Sequence, residues 1–285
     1  MKEILAVDVG ATKLAVARVT SDGVIKKQSS TPTQASDGKE LFNKLLSLSE
    51  EVLEEIEVEG CGVGSAGPMT NNGEEISPLN IPQWRNFPLR LKLSEALGLP
   101  VALNNDAKAI ALGEGWIGAA SGQRNYLALV VSTGIGGGLV IDGNLLSGEM
   151  GNAGHIGHIN VDSNGPLCVC GSNGCLEAVA SGSAIEKETG MPAAEAPEEV
   201  KIRCGYFVGK AISIAVNLLN VPLVLIGGSV ALGFGPIFLN EVRLTAANFC
   251  GLDFTQNLQI NYVGLKEEAP LIGAAAVWLN AKALS

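Results

Sequence analysis

GEMGNAGHIGHINVDSNGPLCVCGSNGCLE, residues 148–177, holds both histidines of the chain, His155 and His158, and three of its six cysteines, Cys168, Cys170 and Cys175. The scarcest residue type thus falls just ahead of a cysteine cluster. The cysteines have C-x-C-x-x-x-x-C spacing, with Gly171 and Gly174 allowing a tight knuckle between them. His158 can supply a fourth ligand, and Gly165-Pro166 marks a turn that would bring it back towards the thiols. The spacing predicts a closed tetrahedral Cys₃His site for structural zinc. A disulfide between two of the cysteines is the competing reading, and it would leave the third unexplained. Four protein ligands leave no open position, so the metal would be a brace and not a Lewis acid.

Working outward, Tyr126–Val131 reads as a strand, Ser132–Gly138 as a glycine-rich bend and Leu139–Ile141 as the returning strand, with Asp142-Gly143-Asn144 turning into a third. The same pattern opens the chain. Ile4–Val9 is an apolar strand whose single charge is Asp8, Gly10-Ala11-Thr12-Lys13 bends it, Leu14–Val19 returns, and Ser21-Asp22-Gly23 leads into Val24–Thr31. Strand, bend, strand and turn therefore occur twice, about 120 residues apart, an architectural echo of two similar halves. Each bend can turn backbone N–H groups towards a phosphate, with Asp8 placed to hold magnesium directly or through water. For the first bend, a plain hairpin with a polar tip is the competing reading.

Between the two patterns, Leu41, Leu45, Leu48, Val52 and Ile56 form a helical stripe. The strand Gly60–Gly64 follows, opening into Ser65-Ala66-Gly67-Pro68, and Pro78–Pro88 is an irregular loop with Asn80 and Trp84. Val101–Leu103 is a short strand ending in Asn104-Asn105-Asp106, ahead of helical Ala107–Gly115. Asn105 or Asp106 would cap that helix, and Asp106 is also a candidate general base. Beyond the cysteines come helices at Ala178–Glu188 and Glu198–Leu219, a strand at Leu223–Ile226 ending in Gly227-Gly228-Ser229, a last strand at Leu258–Tyr262 and a closing helix at Leu271–Lys282.

Composition narrows the function. A net charge of −10 argues against a nucleic-acid partner, which needs a basic surface. No run of about 18 apolar residues suggests a membrane partner. The N-terminus runs straight into a strand, and free-looking cysteines suit a reducing cytoplasm. Cys61, Cys204 and Cys250 sit in apolar surroundings and read as core residues.

Together these motifs resemble the ROK family (repressors, open reading frames and sugar kinases) over essentially the full length. Cys168–Glu177, reading CVCGSNGCLE, is similar to the family's zinc signature, and Gly154-His155-Ile156-Gly157-His158 precedes it at the expected distance. Asp8–Lys13, Asn105-Asp106-Ala107, Thr133–Gly138 and Gly227–Ser229 resemble its other motifs in the same order. The resemblance implies an α/β, actin-like ATPase (ribonuclease H-like) fold of two domains with an interdomain cleft. It divides the chain at 1–117 and 118–270, with 271–285 packing on the first domain.

The resemblance also implies an ATP-dependent kinase acting on the 6-hydroxyl of a hexose or N-acetylhexosamine, with Asp106 as catalytic base. Ser65, Ala66, Gly67, Asn80, Asn105, Asp106, His155, His158 and Glu177 would meet the sugar. Asp8, Gly10, Thr12, Lys13, Thr133, Gly134, Gly136, Gly137, Gly227, Gly228 and Ser229 would meet Mg²⁺–ATP. His158, Cys168, Cys170 and Cys175 would hold Zn²⁺, and the protein would assemble as a homodimer or homotetramer. His155 departs from the glutamate usual in the family's glucokinases. A histidine offers one acceptor when neutral and none when charged, so it cannot hold two hydroxyls as a carboxylate does. Gly-His-x-Gly-His is similar to the form found in bacterial N-acetylmannosamine kinases, which keeps that sugar beside glucose. Family repressors carry an N-terminal helix-turn-helix, for which a first strand at Ile4 leaves no room; a sugar sensor without kinase activity is the remaining alternative.

Overall fold

The computed structural model describes residues 2–70 and 73–284; Met1 and Ser285, at the ends of the predicted domain ranges, lie outside the described residues, as do Asn71 and Asn72. The chain divides into two compact units, one of residues 2–122, Ser147–Ala153 and 264–284, the other of Gln123–Leu146 and Gly154–Val263. The segment Ser147–Ala153 leaves the second unit and returns to it, which one cut at 117/118 does not foresee.

In the first unit, β-branched and aliphatic residues form β1 (Glu3–Val9) and β2 (Lys13–Thr20), an antiparallel pair, and β3 (Ile25–Pro32) completes the meander. Asp37 caps α1 (Gly38–Leu53), accepting from the N–H groups of Lys39 and Glu40. Leu41, Leu45, Leu48 and Val52 are buried along its inner face, but the stripe stops short of Ile56. Glu54 and Glu55 both take left-handed backbone (φ 48° and 63°), which ends the helix and leaves Ile56 exposed. Next come β4 (Cys61–Ser65), the small hairpin β5 (Met69–Thr70) and β6 (Glu75–Ile76), α2 (Leu89–Leu97), β7 (Val101–Asn105) and α3 (Asp106–Trp116). The five-stranded sheet has the order β3-β2-β1-β4-β7. Strands β1, β4 and β7 are parallel, so their C-terminal ends meet at one edge, with Asp8 beside Gly64 and Gly64 beside Asn104.

The second unit repeats this plan. Strands β8 (Tyr126–Val131), β9 (Ile135–Ile141) and β10 (Asn144–Leu145) form its meander. Helices α4 (Leu176–Ala180), α5 (Gly182–Thr189) and α6 (Glu198–Leu219) lead to β11 (Leu223–Gly227), α7 (Ser229–Phe249) and β12 (Gln259–Tyr262). The order is β10-β9-β8-β11-β12, again with the last two strands parallel to the first. The final helix, α8 (Ala269–Leu284), belongs to the first unit.

Several elements differ from the expectation. The bend after β8 is only Ser132–Gly134, and Gly136, Gly137 and Gly138 lie in β9, paired with β8. A side chain at Gly137 would come within 3.2 Å of Gly154 O, and one at Gly154 within 2.2 Å of Gly137 O. The glycines therefore serve close approach of two backbones, not a wide turn. The predicted helix 178–188 is broken at Ser181, whose hydroxyl caps α5 by accepting from Ala184 N–H. Helix α7 escapes the periodicity because Gly235 (φ 64°) and Pro236 kink it internally. Helix α6 is long and apolar enough by composition to cross a membrane, yet Cys204, Val208, Ile212 and Val216 lie in the core of the second unit.

Both faces of the first sheet are covered. Leu5, Val7 and Val9 point into a core with Leu41, Leu45 and Trp84, while Ile4 and Ala6, with Ala15 and Ala17 of β2, meet Ile272 and Ala275 of α8. Small residues permit that second contact. A side chain at Gly62 would come within 1.9 Å of Ala274 O.

Candidate active site and metal centre

The parallel strands of the first unit deliver polar residues to one end of the sheet. A Cβ at Gly64 would stand 3.9 Å from Asp8 Oδ1 and 3.8 Å from Asp106 Cα, so both acidic residues flank that glycine. Asn105 ends β7 and caps α3, its Oδ1 accepting from Ala107 N–H at 3.1 Å; Asp106 Oδ1 accepts from the same N–H at 2.8 Å. Capping and a chemical role are thus compatible at Asp106. Gly67 lies alongside, with its Cβ position 3.8 Å from Asn105 Nδ2, and Ser65 pairs with Asn105 across the β4–β7 ladder. Asn80 is exposed on the loop between β6 and α2.

Asp8 is half-buried. Burial pushes its carboxyl up to about 7, the Asp106 charge adds to this, and Lys13 opposes it. The bend beyond it is closed by Gly10 N–H donating to Lys13 O at 3.0 Å and by Thr33 Oγ1 donating to Gly10 O at 2.8 Å. Thr12 and Lys13 stay exposed at its tip. A half-buried carboxylate beside a second one suits a hard divalent cation, which would relieve their repulsion.

In the second unit, Ser132 N–H donates to Gly134 O at 2.9 Å, and Ser132 Oγ lies 2.9 Å from Ser229 Oγ. The bend after β8 therefore meets the turn after β11. Gly228 (φ 95°) is required there, since a Cβ would come within 2.3 Å of Val131 O. Gly227 packs against Val263, whose side chain would lie 3.0 Å from its Cβ. Thr133 is exposed at the tip of the bend. Glu177 Oε2 accepts from Ile135 N–H at 2.8 Å and fills the space beside Gly134, so Glu177 braces the bend from behind.

The metal centre is built on the backbone turn Cys168–Ser172. Cys168 N–H donates to Ser172 O, Gly171 N–H donates to Cys168 O, and Gly171 takes φ 91°. Gly174 (φ 66°) lies so near Asp162 O that a Cβ would reach within 1.6 Å. This knuckle brings His158, Cys168, Cys170 and Cys175 together with all ligand atoms within 4.8 Å of one another. Cys170 Sγ and Cys175 Sγ are 3.6 Å apart, far beyond a disulfide bond of about 2.05 Å. Burial pushes the Cys175 thiol up to about 12, while the Ser172 N–H draws Cys170 down to about 6. These four residues could hold one metal ion, which would take the place of the thiol protons. His158 points two ways: Nδ1 is 3.6 Å from Cys168 Sγ, and Nε2 is 4.0 Å from Glu177 Oε1. His155, at the start of the short 3₁₀ turn Ile156–His158, is exposed, with its ring centroid 6.2 Å from that of His158.

Motif reading passes over Lys108 and Glu114, two charged residues buried in α3. Their signal is present in DAKAIALGEGW, where single charges interrupt a helix of small and apolar residues. Cys61, Cys204 and Cys250 are buried core residues, as expected.

The ROK family model matches residues 4–281. The glucokinase of Thermotoga maritima is 32% identical, covering 96% of each chain. The N-acetylmannosamine kinase of Citrobacter koseri is 34% identical, covering 95% of this chain and 97% of its own. The structure of a ROK glucokinase from Streptomyces griseus, in complex with glucose and AMPPNP, superposes with a TM-score of 0.84 at 28% identity, covering 96% of this chain and 98% of that one. The fold is that of the actin-like ATPases.

Proposed function

Because the chain belongs to the ROK family, we propose that it transfers the γ-phosphoryl group of ATP to the 6-hydroxyl of a hexose or N-acetylhexosamine. The observation that carries this reading is the pair Asp8 and Asp106 flanking Gly64, with Asn105 beside Ser65, at the C-terminal ends of three parallel strands. Phosphoryl transfer needs positioning and charge stabilisation more than covalent chemistry. Asp106 accepts the proton of the attacking hydroxyl, and its bond to Ala107 N–H holds the carboxylate in place for that task. Asn105, with the Ser65–Gly67 turn, orients the same sugar, and Asn80 is a further contact from its exposed loop. Gly10, Thr12 and Lys13 cradle phosphate oxygens in the first bend, and Thr133 and Gly134 do so in the second. Gly136 and Gly137 back that second bend, and the Gly227–Ser229 turn takes the adenosine side. Magnesium, when bound with the nucleotide, neutralises phosphate charge, and Asp8 is the residue we assign to hold it.

Zinc fits the Cys₃His cluster. Zinc–sulfur bonds of about 2.3 Å in a tetrahedron set sulfurs about 3.8 Å apart, close to the separation seen here. Nδ1 of His158 would hold the metal, which would leave Nε2 to carry the proton and donate towards Glu177 or a sugar hydroxyl. The brace thereby aims His158 and Glu177, and His155 beside them selects among sugars. Metal-binding thiols suit a reducing cytoplasm.

A coupled ADP-release assay across glucose, mannose, fructose, N-acetylglucosamine and N-acetylmannosamine tests the proposal. Sugar-dependent release with glucose or N-acetylmannosamine is expected. Release with none of the five would overturn the kinase reading in favour of a sugar sensor.

A further inference from the structure

Lys108 is 1% exposed and Glu114 is 0% exposed, both within the helix that starts at Asp106. Neither belongs to the machinery assigned above. Burying an ammonium or a carboxylate is unfavourable unless hydrogen bonds compensate, and the partners found here are backbone groups. Lys108 Nζ donates to Ser147 O at 3.2 Å and to Gly151 O at 2.8 Å. Burial pushes its ammonium down to about 8. Glu114 accepts from Ala119 N–H at 2.7 Å, Gly264 N–H at 3.0 Å and Leu265 N–H at 2.9 Å.

These partners share one property. The chain passes between its two compact units after Gly122, Leu146, Ala153 and Val263. Ala119 precedes the first passage, Ser147 follows the second, Gly151 precedes the third, and Gly264 and Leu265 follow the fourth. Close packing keeps them there. A Cβ at Gly264 would come within 2.9 Å of Ala119 N, and one at Gly118 within 2.4 Å of Glu114 Oε2. Helix α3 is in turn seated on α8, where a Cβ at Gly113 would stand 3.0 Å from Gly273 Cα. Asn152 adds a bond from Nδ2 to Met69 O at 3.1 Å.

We propose that Lys108 and Glu114 are positioning residues that clamp every passage of the chain between units onto α3. The helix that carries Asp106 is then the fixed body of the molecule, and any bending of the connections falls on the second-unit side of the clamps. For the kinetic consequence only, the proposal rests on the phosphotransfer reading. A base held rigidly on α3 keeps its place while the rest of the site closes and excludes water.

Residue-resolved amide hydrogen exchange tests the clamp without reference to activity. In the unmodified chain, the amides of Ala119, Gly264 and Leu265 should exchange as slowly as those of β1 and β4. If they exchange as fast as the exposed loop 79–86, the clamp is rejected with no variant needed. Glu114→Gln should speed those three amides at least about tenfold and leave β1 and β4 unchanged. Lys108→Met should do the same at Gly151 and Ala153, with Lys108→Arg restoring protection. Unchanged exchange at the named amides, or an equal rise everywhere, overturns the proposal. In turnover, Glu114→Gln should lower kcat about tenfold with sugar KM nearly constant and raise sugar-independent ATP hydrolysis relative to sugar phosphorylation. An effect on KM alone would contradict the positioning role. If the unmodified chain phosphorylates no sugar, the kinase reading fails while the exchange result still stands or falls by itself.

Discussion

The two five-stranded sheets share one strand order and one pattern of parallel and antiparallel neighbours, yet they carry opposite chemistry at the same ends. In the first sheet Asp8 lies at the end of β1, one residue before Val9, and Asp106 follows β7; in the second, Ser132 follows β8 and Gly228-Ser229 follow β11. The repeated topology therefore provides equivalent places, and the residues decide what each does. On the first sheet the carboxyl of Asp8 is raised chiefly by burial, and the neighbouring charge of Asp106 adds to it. The matching ends of the second sheet carry neutral hydroxyls and close backbone, and Glu177 of α4 beside them is engaged by Ile135 N–H. On the proposed reading, proton transfer and magnesium fall to the first sheet, while phosphate is shared by the bends of both.

The sharpest way to break that division is to compare matching deletions. Asp106→Asn should lower kcat at least about 100-fold with sugar binding largely kept, since a general base contributes about 10²–10⁴-fold. Ser132→Ala, at the corresponding end of the second sheet, should cost about tenfold or less. Equal losses measured by steady-state kinetics would erase the distinction.

The metal centre gives the next largest effect. Cys170→Ser, or strong chelation, should lower Tm by about 5–10 °C and weaken sugar affinity, because a bound structural metal contributes directly to folding. A fully active protein purified without stoichiometric zinc would contradict this.

Asp8 tests the electrostatic side of the comparison. Its carboxyl is raised from 3.8 to about 7, so the folded state favours the protonated form. The contribution of Asp8 to stability is most favourable below pH 3.8, falls as pH rises through about 7, and stays low above that. Allowing for screening at a half-buried site, the loss is about 2 kcal/mol. Asp8→Asn should remove this slope in urea unfolding measured at pH 4.5 and pH 8 without nucleotide or magnesium, while abolishing turnover. An unchanged slope would assign the pH dependence elsewhere.

The smallest effect concerns specificity. His155→Glu should shift the kcat/KM ratio of glucose to N-acetylmannosamine towards glucose by about tenfold, the worth of one added hydroxyl bond to a carboxylate. No shift would place sugar choice outside this position.

Much of this arrangement was legible in the sequence because it depends on short-range patterns. The four candidate metal ligands lie within 18 residues of one another, Glu198–Leu219 is uninterrupted helix, and both strand–bend–strand units announce themselves by alternation and glycine. The remainder depends on distant partners. Glu114 binds Leu265 across 151 positions of sequence, and Lys108 binds Gly151 across 43, through backbone atoms that carry no side-chain signature. The glycines of β9 look like a loop until Gly154 is seen lying against them. Helix α7 is hidden by its own kink at Gly235 and Pro236.

The seating of α8 on the first sheet has a consequence for synthesis. Ile4, Ala6, Ala15 and Ala17 emerge from the ribosome early, but the helix that covers them follows the whole second unit. That face of the sheet must wait bare, or be shielded by a chaperone, while the second unit is made and folds as an uninterrupted stretch apart from its one excursion. The small residues that let α8 approach so closely also keep the waiting surface small in apolar area, which limits its appeal to other nascent chains.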